Sequence, residues 1–250
     1  MRKMKLCVTL IGLGGTGSAL RNTIVPYLTY KFGEEEEVEF VFVDRDIVED
    51  SNLSRQIYPS KAIGKNKAAY SAYVMRHLST NIKIFDSYWD KGKLLDFLLA
   101  KEDYFNIVLD CVDNSASRLA HINALLDLPS SYNFLYVTPG NAEYTGQCFS
   151  WAMIDGKELG TNPALVQENI RNPKDFIPRA NSCQQEAVYV PQTILANTLA
   201  ATAALSVIVN FFDHSKFYSE IYFDGKQCQL KGRLAGLDIE NKHEDEGELY

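Results

Sequence analysis

The residues Ile11-Gly12-Leu13-Gly14-Gly15-Thr16-Gly17-Ser18 constrain this chain more than any other stretch. They follow an apolar run, Lys5-Leu6-Cys7-Val8-Thr9-Leu10, that reads as a buried strand, and they precede a helical pattern from Ala19 to about Lys31. A strand, a glycine-rich turn and a helix make the first half of a mononucleotide-binding unit. Gly12, Gly14 and Gly17 occupy the G-x-G-x-x-G positions. The first permits the tight turn, the second lets backbone approach a phosphate, and the third lets helix pack on strand. With Gly15 and Thr16 between them, the backbone N–H groups and the helix dipole then face an anion. NAD, FAD, S-adenosylmethionine and ATP all use such a turn, so the residues downstream must decide between them.

Strand and helix patterns alternate through most of the chain. This predicts an α/β, doubly wound, mostly parallel sheet with helices on both faces, and an antiparallel extension follows it. The second strand, Val38–Val43, closes in Asp44-Arg45-Asp46. Acidic residues at that point lie where a nucleotide's ribose hydroxyls sit, although aspartate also serves turns and caps. A third strand, Ile82–Phe85, and a helix near Lys93–Ala100 look structural. Strand Asn106–Leu109 ends in Asp110-Cys111-Val112-Asp113-Asn114. A carboxylate beyond the carboxyl end of a strand can hold magnesium through its hard oxygens. Asp113 could instead cap the helix Ser115–Leu126, as could Asn114 or Ser115.

Strands Phe134–Thr138 and Gly146–Trp151 come next. The glycines and prolines of residues 154 to 180 then read as a long irregular segment, part of a crossover loop over 154–190. The helix Pro191–Phe212 is almost wholly apolar on every side, so burial in the core or against another subunit is expected. Phe217–Phe223 and Gln227–Lys231 pair as a hairpin around Asp224-Gly225. Residues 1–237 are expected to form a single domain, followed by a disordered acidic tail, 238–250.

At 250 residues the chain can bury a large core. No apolar run approaches the roughly 20 residues of a membrane span, and strand-like sequence follows Met1-Arg2-Lys3-Met4 at once. We therefore expect no membrane, no signal peptide and a cytoplasmic location. A net charge of -7 argues against nucleic acid as a partner. The five cysteines form no C-x-x-C pair and no zinc-spaced cluster, so no zinc is expected and a reducing compartment is. Cys7, Cys111, Cys148 and Cys228 fall in apolar runs and read as core thiols. Cys183 stands apart in Asn181-Ser182-Cys183-Gln184-Gln185.

Five motifs in order, Gly12-x-Gly14-Gly15-x-Gly17, Asp44-x-Asp46, Asn52-Leu53-x-Arg55-Gln56, Gly64-x-x-Lys67 and Asp110-Cys111-x-Asp113-Asn114, resemble the ThiF/MoeB/HesA family. These are bacterial relatives of ubiquitin-activating enzymes. The motifs Ser182-Cys183, Glu186-Ala187, Gln192 and Asn197 are similar to the ThiF-like protein of PRTRC-type gene systems.

The resemblance implies an ATP- and magnesium-dependent adenylyltransferase. Such an enzyme activates the C-terminal glycine carboxylate of a ubiquitin-like or sulfur-carrier protein, forming an acyl-adenylate and pyrophosphate. Negative charge grows on the α-phosphate and the leaving group, and positioned cations stabilise it. The resemblance assigns phosphate contacts to Arg55 and Lys67. It has Asn52 and Gln56 help hold the triphosphate and gives Asp113 the magnesium. It also adds Asn114, Asp44, Asp46 and the glycine-rich turn to the nucleotide site, and it implies a homodimer. Arg118 matches a family arginine.

Two departures stand out. The usual N-terminal segment that carries an arginine to the partner subunit's nucleotide has only Arg2 here, with Arg21 on the first helix. The zinc-binding cysteine pairs of many members are missing. Cys183 could capture the acyl group as a thioester, but no neighbouring His or Lys lowers its pKa, so a structural role is expected. Two alternatives remain. One is a nucleotide-binding scaffold without catalysis. The other is an NAD-dependent oxidoreductase, which would share the first motif only.

Overall fold

The computed structural model describes residues 4–33, 37–175 and 192–235. Cys183, the later part of the crossover loop and the tail 238–250 lie outside them.

The elements run β1 (Lys5–Ile11), α1 (Gly15–Phe32), β2 (Glu37–Val43), two short 3-10 turns (Asp50–Asn52 and Ser60–Ala62), α2 (Lys67–Met75), β3 (Ile82–Phe85), α3 (Lys91–Leu99), β4 (Phe105–Asp110), α4 (Ser115–Leu126), β5 (Phe134–Asn141), β6 (Thr145–Ile154), β7 (Lys157–Gly160), α5 (Pro163–Val166), α6 (Glu168–Arg171), α7 (Ile194–His214), β8 (Tyr218–Asp224) and β9 (Gln229–Leu234). The sheet order is β3-β2-β1-β4-β5-β6-β8-β9, with β7 paired to β6. Strands β3 to β5 of that order are parallel, and the pairings of β5 with β6, β6 with β8 and β8 with β9 are antiparallel. This is the doubly wound α/β architecture with its antiparallel extension.

Alternation along β2 explains the layering. Phe40 and Phe42 pack into one core with Leu20, Ile24 and Leu28 of α1 and Ala200, Ala204 and Val207 of α7. Val41 and Val43 point to the other face, with Leu94 and Leu98 of α3 and Ile122 and Leu125 of α4. Central parallel strands covered on both faces read as nearly continuous apolar runs. Chain order runs outward from β1 on both sides. The carboxyl ends of β1 and β4 therefore diverge into a crevice, the switch point at which such sheets bind ligands.

Several expectations need correction. Helix α1 starts at Gly15, not Ala19, although glycine costs a helix about 0.5–1 kcal/mol relative to alanine. Packing overrides propensity here, because a Cβ at Gly17 would collide with the Gly12 carbonyl. The stretch after Ile154 is not structureless: β7, α5 and α6 occupy its described part.

Helix α7 is not buried on every side. Ala200, Ala203, Ala204, Val207 and Ile208 face the core, while Thr198 and Thr202 are exposed. The hydroxyls of Thr198, Thr202 and Ser206 each donate to the carbonyl four residues earlier at 2.8 Å, which satisfies them without water. Contrary to the expectation that no apolar run approaches a membrane span, α7 with its 21 residues is long and apolar enough to cross one. In this structure it packs on α1, β5, β6 and β8. Cys228 is exposed in the β8–β9 turn at φ 53°, so it is not a core thiol, while Cys7 and Cys148 are buried.

Candidate active site

A cleft of about 1030 Å³ opens at the carboxyl ends of β1, β2, β4 and β5. Gly12, Gly14, Gly15 and Thr16 form one part of its wall, Asp44 and Asp46 another, and Asn52, Arg55, Gln56 and Lys67 a third. Asp113 and Asn114 stand at the end of β4. Gly17 does not line the cleft. Its role is the close packing of α1 on the turn, not ligand contact. Cys183 lies outside the described residues.

The turn is shaped by two glycines. Gly12 has φ +83°, and a Cβ there would lie 2.9 Å from the Cys111 carbonyl oxygen. Gly14 faces open space, with Gln56 Nε2 the nearest atom to an added Cβ at 3.8 Å. The N-terminus of α1 carries no side-chain cap and no acidic residue in its first turn. Among the described residues no side chain claims its backbone donors at the cleft, as an anion site requires.

Helix α4 differs. Asn114 Oδ1 accepts from the Ser117 N–H at 2.8 Å, and the Asp175 carboxylate accepts from the Ser115 and Ala116 N–H groups at 2.7 and 2.8 Å. Its N-terminal donors are already engaged. Asn114 thus serves as the helix cap while still lining the cleft.

Asp44 grips the turn: Leu13 N–H donates to Oδ2 at 2.6 Å and Asp46 N–H to Oδ1 at 2.8 Å. Burial pushes its pKa up, against the pull of the Lys67 charge and of these two bonds. Lys67 opens α2, with its side chain only 7% exposed and Nζ 3.5 Å from Asp46 Oδ2. Asp46 therefore pairs with Lys67 at the cleft wall. The Lys67 N–H donates to the Asp46 carbonyl at 2.8 Å, and Asn66 ties the same loop to Asp44.

Arg55 is held by its backbone. Its carbonyl accepts from Asn197 Nδ2 at 2.9 Å, while its guanidinium meets no acceptor among the described residues. Asn52 Oδ1 accepts from the Glu49 N–H at 3.1 Å. Gln56 is buried, and its Oε1 has no partner among the described residues. Arg118 buttresses the far wall, donating to the carbonyls of Val112 and Pro139 at 2.6 and 2.9 Å.

A cation site is less complete. Among the described residues no group of three His, Cys, Asp or Glu side chains could hold a metal ion. Asp113 supplies one exposed carboxylate. That suits magnesium only in its usual mode, with one or two protein carboxylates and the remaining ligands from phosphate and water.

Several further residues brace the site as connectors, a role that their local sequence does not show. Asn197 on α7 accepts from Thr16 Oγ1 at 3.3 Å and from Asn141 Nδ2 at 3.2 Å, joining the glycine-rich turn, β5 and the Arg55 loop. Arg21 does not reach outward. Its guanidinium is buried on Ser71 and the Ile57 carbonyl, so it anchors the segment after Arg55. Asp110 and His121 pair at the cleft floor. A lone histidine on a helix carries no local signal, and Asp110 reads as an ordinary strand end.

Comparison with known proteins agrees with the motif order. The ThiF family model matches residues 2–245. The adenylyltransferase and sulfurtransferase UBA4 of Meyerozyma guilliermondii is 27% identical over 226 residues, covering 86% of this chain and 46% of UBA4. The probable molybdopterin-synthase adenylyltransferase of Porphyra purpurea is 24% identical over 208 residues, covering 82% of this chain and 48% of that protein. The chain thus spans about half the length of these relatives. Among solved structures, E. coli MccB with ATP superposes with a TM-score of 0.58 at 18% identity, covering 95% of this chain and 65% of MccB. The E. coli tRNA N6-threonylcarbamoyladenosine dehydratase TcdA with ATP gives 0.52 at 16% identity, covering 81% of this chain and 83% of TcdA. At such identities the likeness is one of fold.

Proposed function

The chain belongs to the ThiF family, and from that premise we propose that it is an ATP-dependent adenylyltransferase. Its substrate is the C-terminal glycine carboxylate of a ubiquitin-like or sulfur-carrier protein. One observation carries the reading. Arg55 and Lys67 share a cleft with an α1 N-terminus whose donors no side chain claims among the described residues, and with the carboxylate of Asp113. That set suits a triphosphate better than the single pyrophosphate of NAD, which argues against the oxidoreductase alternative. The adenylyltransferase activities of UBA4 and of the Porphyra protein support the same class.

In the reaction a carboxylate oxygen of the substrate attacks the α-phosphorus. The bond from phosphorus to the bridging oxygen of the β-phosphate breaks, and pyrophosphate leaves with that electron pair. The guanidinium of Arg55 offers a planar fork to phosphate oxygens, and Lys67 a compact charge. When triphosphate enters, Lys67 exchanges its Asp46 partner for phosphate oxygen. Asp44 holds the turn in shape and accepts from ribose hydroxyls. Asp113 would hold magnesium, which would offset charge on the phosphates. The enzyme works as a cytoplasmic homodimer, and Cys183 is structural.

Pyrophosphate–ATP exchange tests the proposal. Exchange should require a protein or peptide ending in glycine. A thermal shift with NAD and none with ATP and magnesium would overturn it. So would a reducible covalent adduct that vanishes in Cys183→Ala, as regards the thiol.

A further inference from the structure

Asp110, His121 and Tyr136 form a buried polar cluster at the cleft floor, at 0%, 1% and 0% exposure, with His121 lining the cleft. The Tyr136 hydroxyl donates to Asp110 Oδ2 at 2.7 Å, and His121 Nδ1 lies 2.9 Å from the same oxygen. His121 Nε2 lies 3.0 Å from the Trp89 carbonyl oxygen. A carbonyl only accepts, so Nε2 carries a hydrogen. The tyrosine's one hydrogen points at Asp110, so the hydrogen on the Nδ1–Oδ2 line belongs to the histidine–aspartate pair. Burial opposes charge on either group, but the Asp110 carboxylate outweighs it and raises the His121 pKa while His121 lowers that of Asp110, so the pair favours imidazolium with carboxylate.

The two acceptors belong to different segments at the cleft. Trp89 continues Ser87 and Tyr88, which line the cleft beside Arg45 at the end of β2. The Arg45 guanidinium lies 5.5 Å from the Tyr88 ring centroid, and the Tyr88 hydroxyl bonds Ser117 of α4. Arg45 follows Asp44, so this wall flanks the nucleoside end. Asp110 leads into Cys111–Asn114, the turn that carries Asp113, and its own carbonyl accepts from Thr138 Oγ1 at 3.2 Å. We infer that His121 is a positioning residue for adenylation, a strut between Trp89 and Asp110 that sets the nucleoside wall against the turn bearing Asp113. The functional half of this inference rests on the adenylyltransferase reading.

Two substitutions separate the two ends of the strut. The amide nitrogen of glutamine falls near the Nε2 position and that of asparagine near Nδ1. His121→Gln keeps the donor to Trp89 and drops the one to Asp110, and His121→Asn does the reverse. In pyrophosphate exchange, H121N should raise KM for ATP about tenfold with kcat little changed, and H121Q should lower kcat about tenfold with KM little changed. Equal losses of both parameters in both variants, or wild-type values in both, overturn the strut.

A readout without nucleotide keeps the inference distinct from the assigned activity. Trp89 emission should shift in H121N and hold in H121Q, and histidine nitrogen spectra of the wild type should show hydrogens on both ring nitrogens near neutral pH. Emission unchanged in both variants, or a singly protonated ring, refutes the strut. Absence of exchange in the wild type with these spectra as expected refutes only the adenylyltransferase reading.

Discussion

A sign reversal at Gly15 is the sharpest consequence of this structure. A Cβ at Gly15 would lie 2.5 Å from Asn197 Oδ1 and closer still to the amide carbon and nitrogen of that side chain. Asn197 is 1% exposed and cannot swing away. Forcing it aside breaks its bonds to the Arg55 carbonyl, Thr16 and Asn141. Each bond contributes about 1 kcal/mol net, and overpacking adds about 1–3 kcal/mol. Against this, alanine in place of glycine favours the helix by about 0.5–1 kcal/mol.

Gly15→Ala should therefore destabilise the protein by about 3–5 kcal/mol. Asn197→Ala alone should cost about 2–3 kcal/mol, chiefly through the Arg55 carbonyl left without its donor. In the Asn197→Ala background the obstructing amide is gone, so Gly15→Ala should stabilise by about 0.5–1 kcal/mol. Urea unfolding of the four proteins at fixed m-value yields the coupling directly. Gly15→Ala destabilising both backgrounds equally would refute the argument, because the glycine would then serve something other than Asn197.

Further outcomes follow from the same geometry. Asp113→Ala should abolish pyrophosphate exchange while shifting stability by no more than about 0.5 kcal/mol, since the side chain is exposed; exchange at the wild-type rate would reduce Asp113 to a loop residue. ATP with magnesium at a hundred times its Kd should add about 2.7 kcal/mol to unfolding, read as a melting shift that NAD does not match.

The His121–Asp110 pair should shape the pH dependence of stability. Burial opposes the imidazolium, but the Asp110 carboxylate and its hydrogen bond outweigh it and raise the His121 pKa, with the Trp89 carbonyl and Asp90 adding to the rise. Burial likewise opposes the Asp110 charge, and His121, Arg118 and Tyr136 outweigh it and lower the Asp110 pKa. The His121 contribution is complete below about pH 6.5, its ordinary unfolded value, and is lost as pH rises through the folded value. The Asp110 contribution is complete above about pH 3.9 and is lost on acidification through its lowered folded value. Unfolding free energies of wild type and H121Q should therefore converge toward alkaline pH, and a constant difference across the range would count against the ion pair. Finally, light scattering should report a homodimer whose interface exceeds about 1,000 Å²; a monomer at micromolar concentration would contradict it.

The sequence by itself determined what neighbouring residues encode. The β1–turn–α1 unit, β3 at Ile82–Phe85, α4 at Ser115–Leu126 and the hairpin at Asp224-Gly225 were all legible. Period, caps and turn residues act within a few positions, and the order of five motifs marked the family. Tertiary structure alone decided how those pieces are braced. Thr16 and Asn197 meet across 181 residues, and Gly15 is explained by that meeting more than by its own turn. Lys67 finds Asp46 from 21 residues away, and His121 finds Trp89 from 32. Composition suggested a fully buried α7, yet its hydroxyl-bearing face is open because backbone carbonyls satisfy those groups. Local sequence sets which residues can reach a strand end. Which buried polar groups pair there depends on desolvation in the assembled core, where an unpaired donor or carboxylate is costly and only the packed chain supplies its partner.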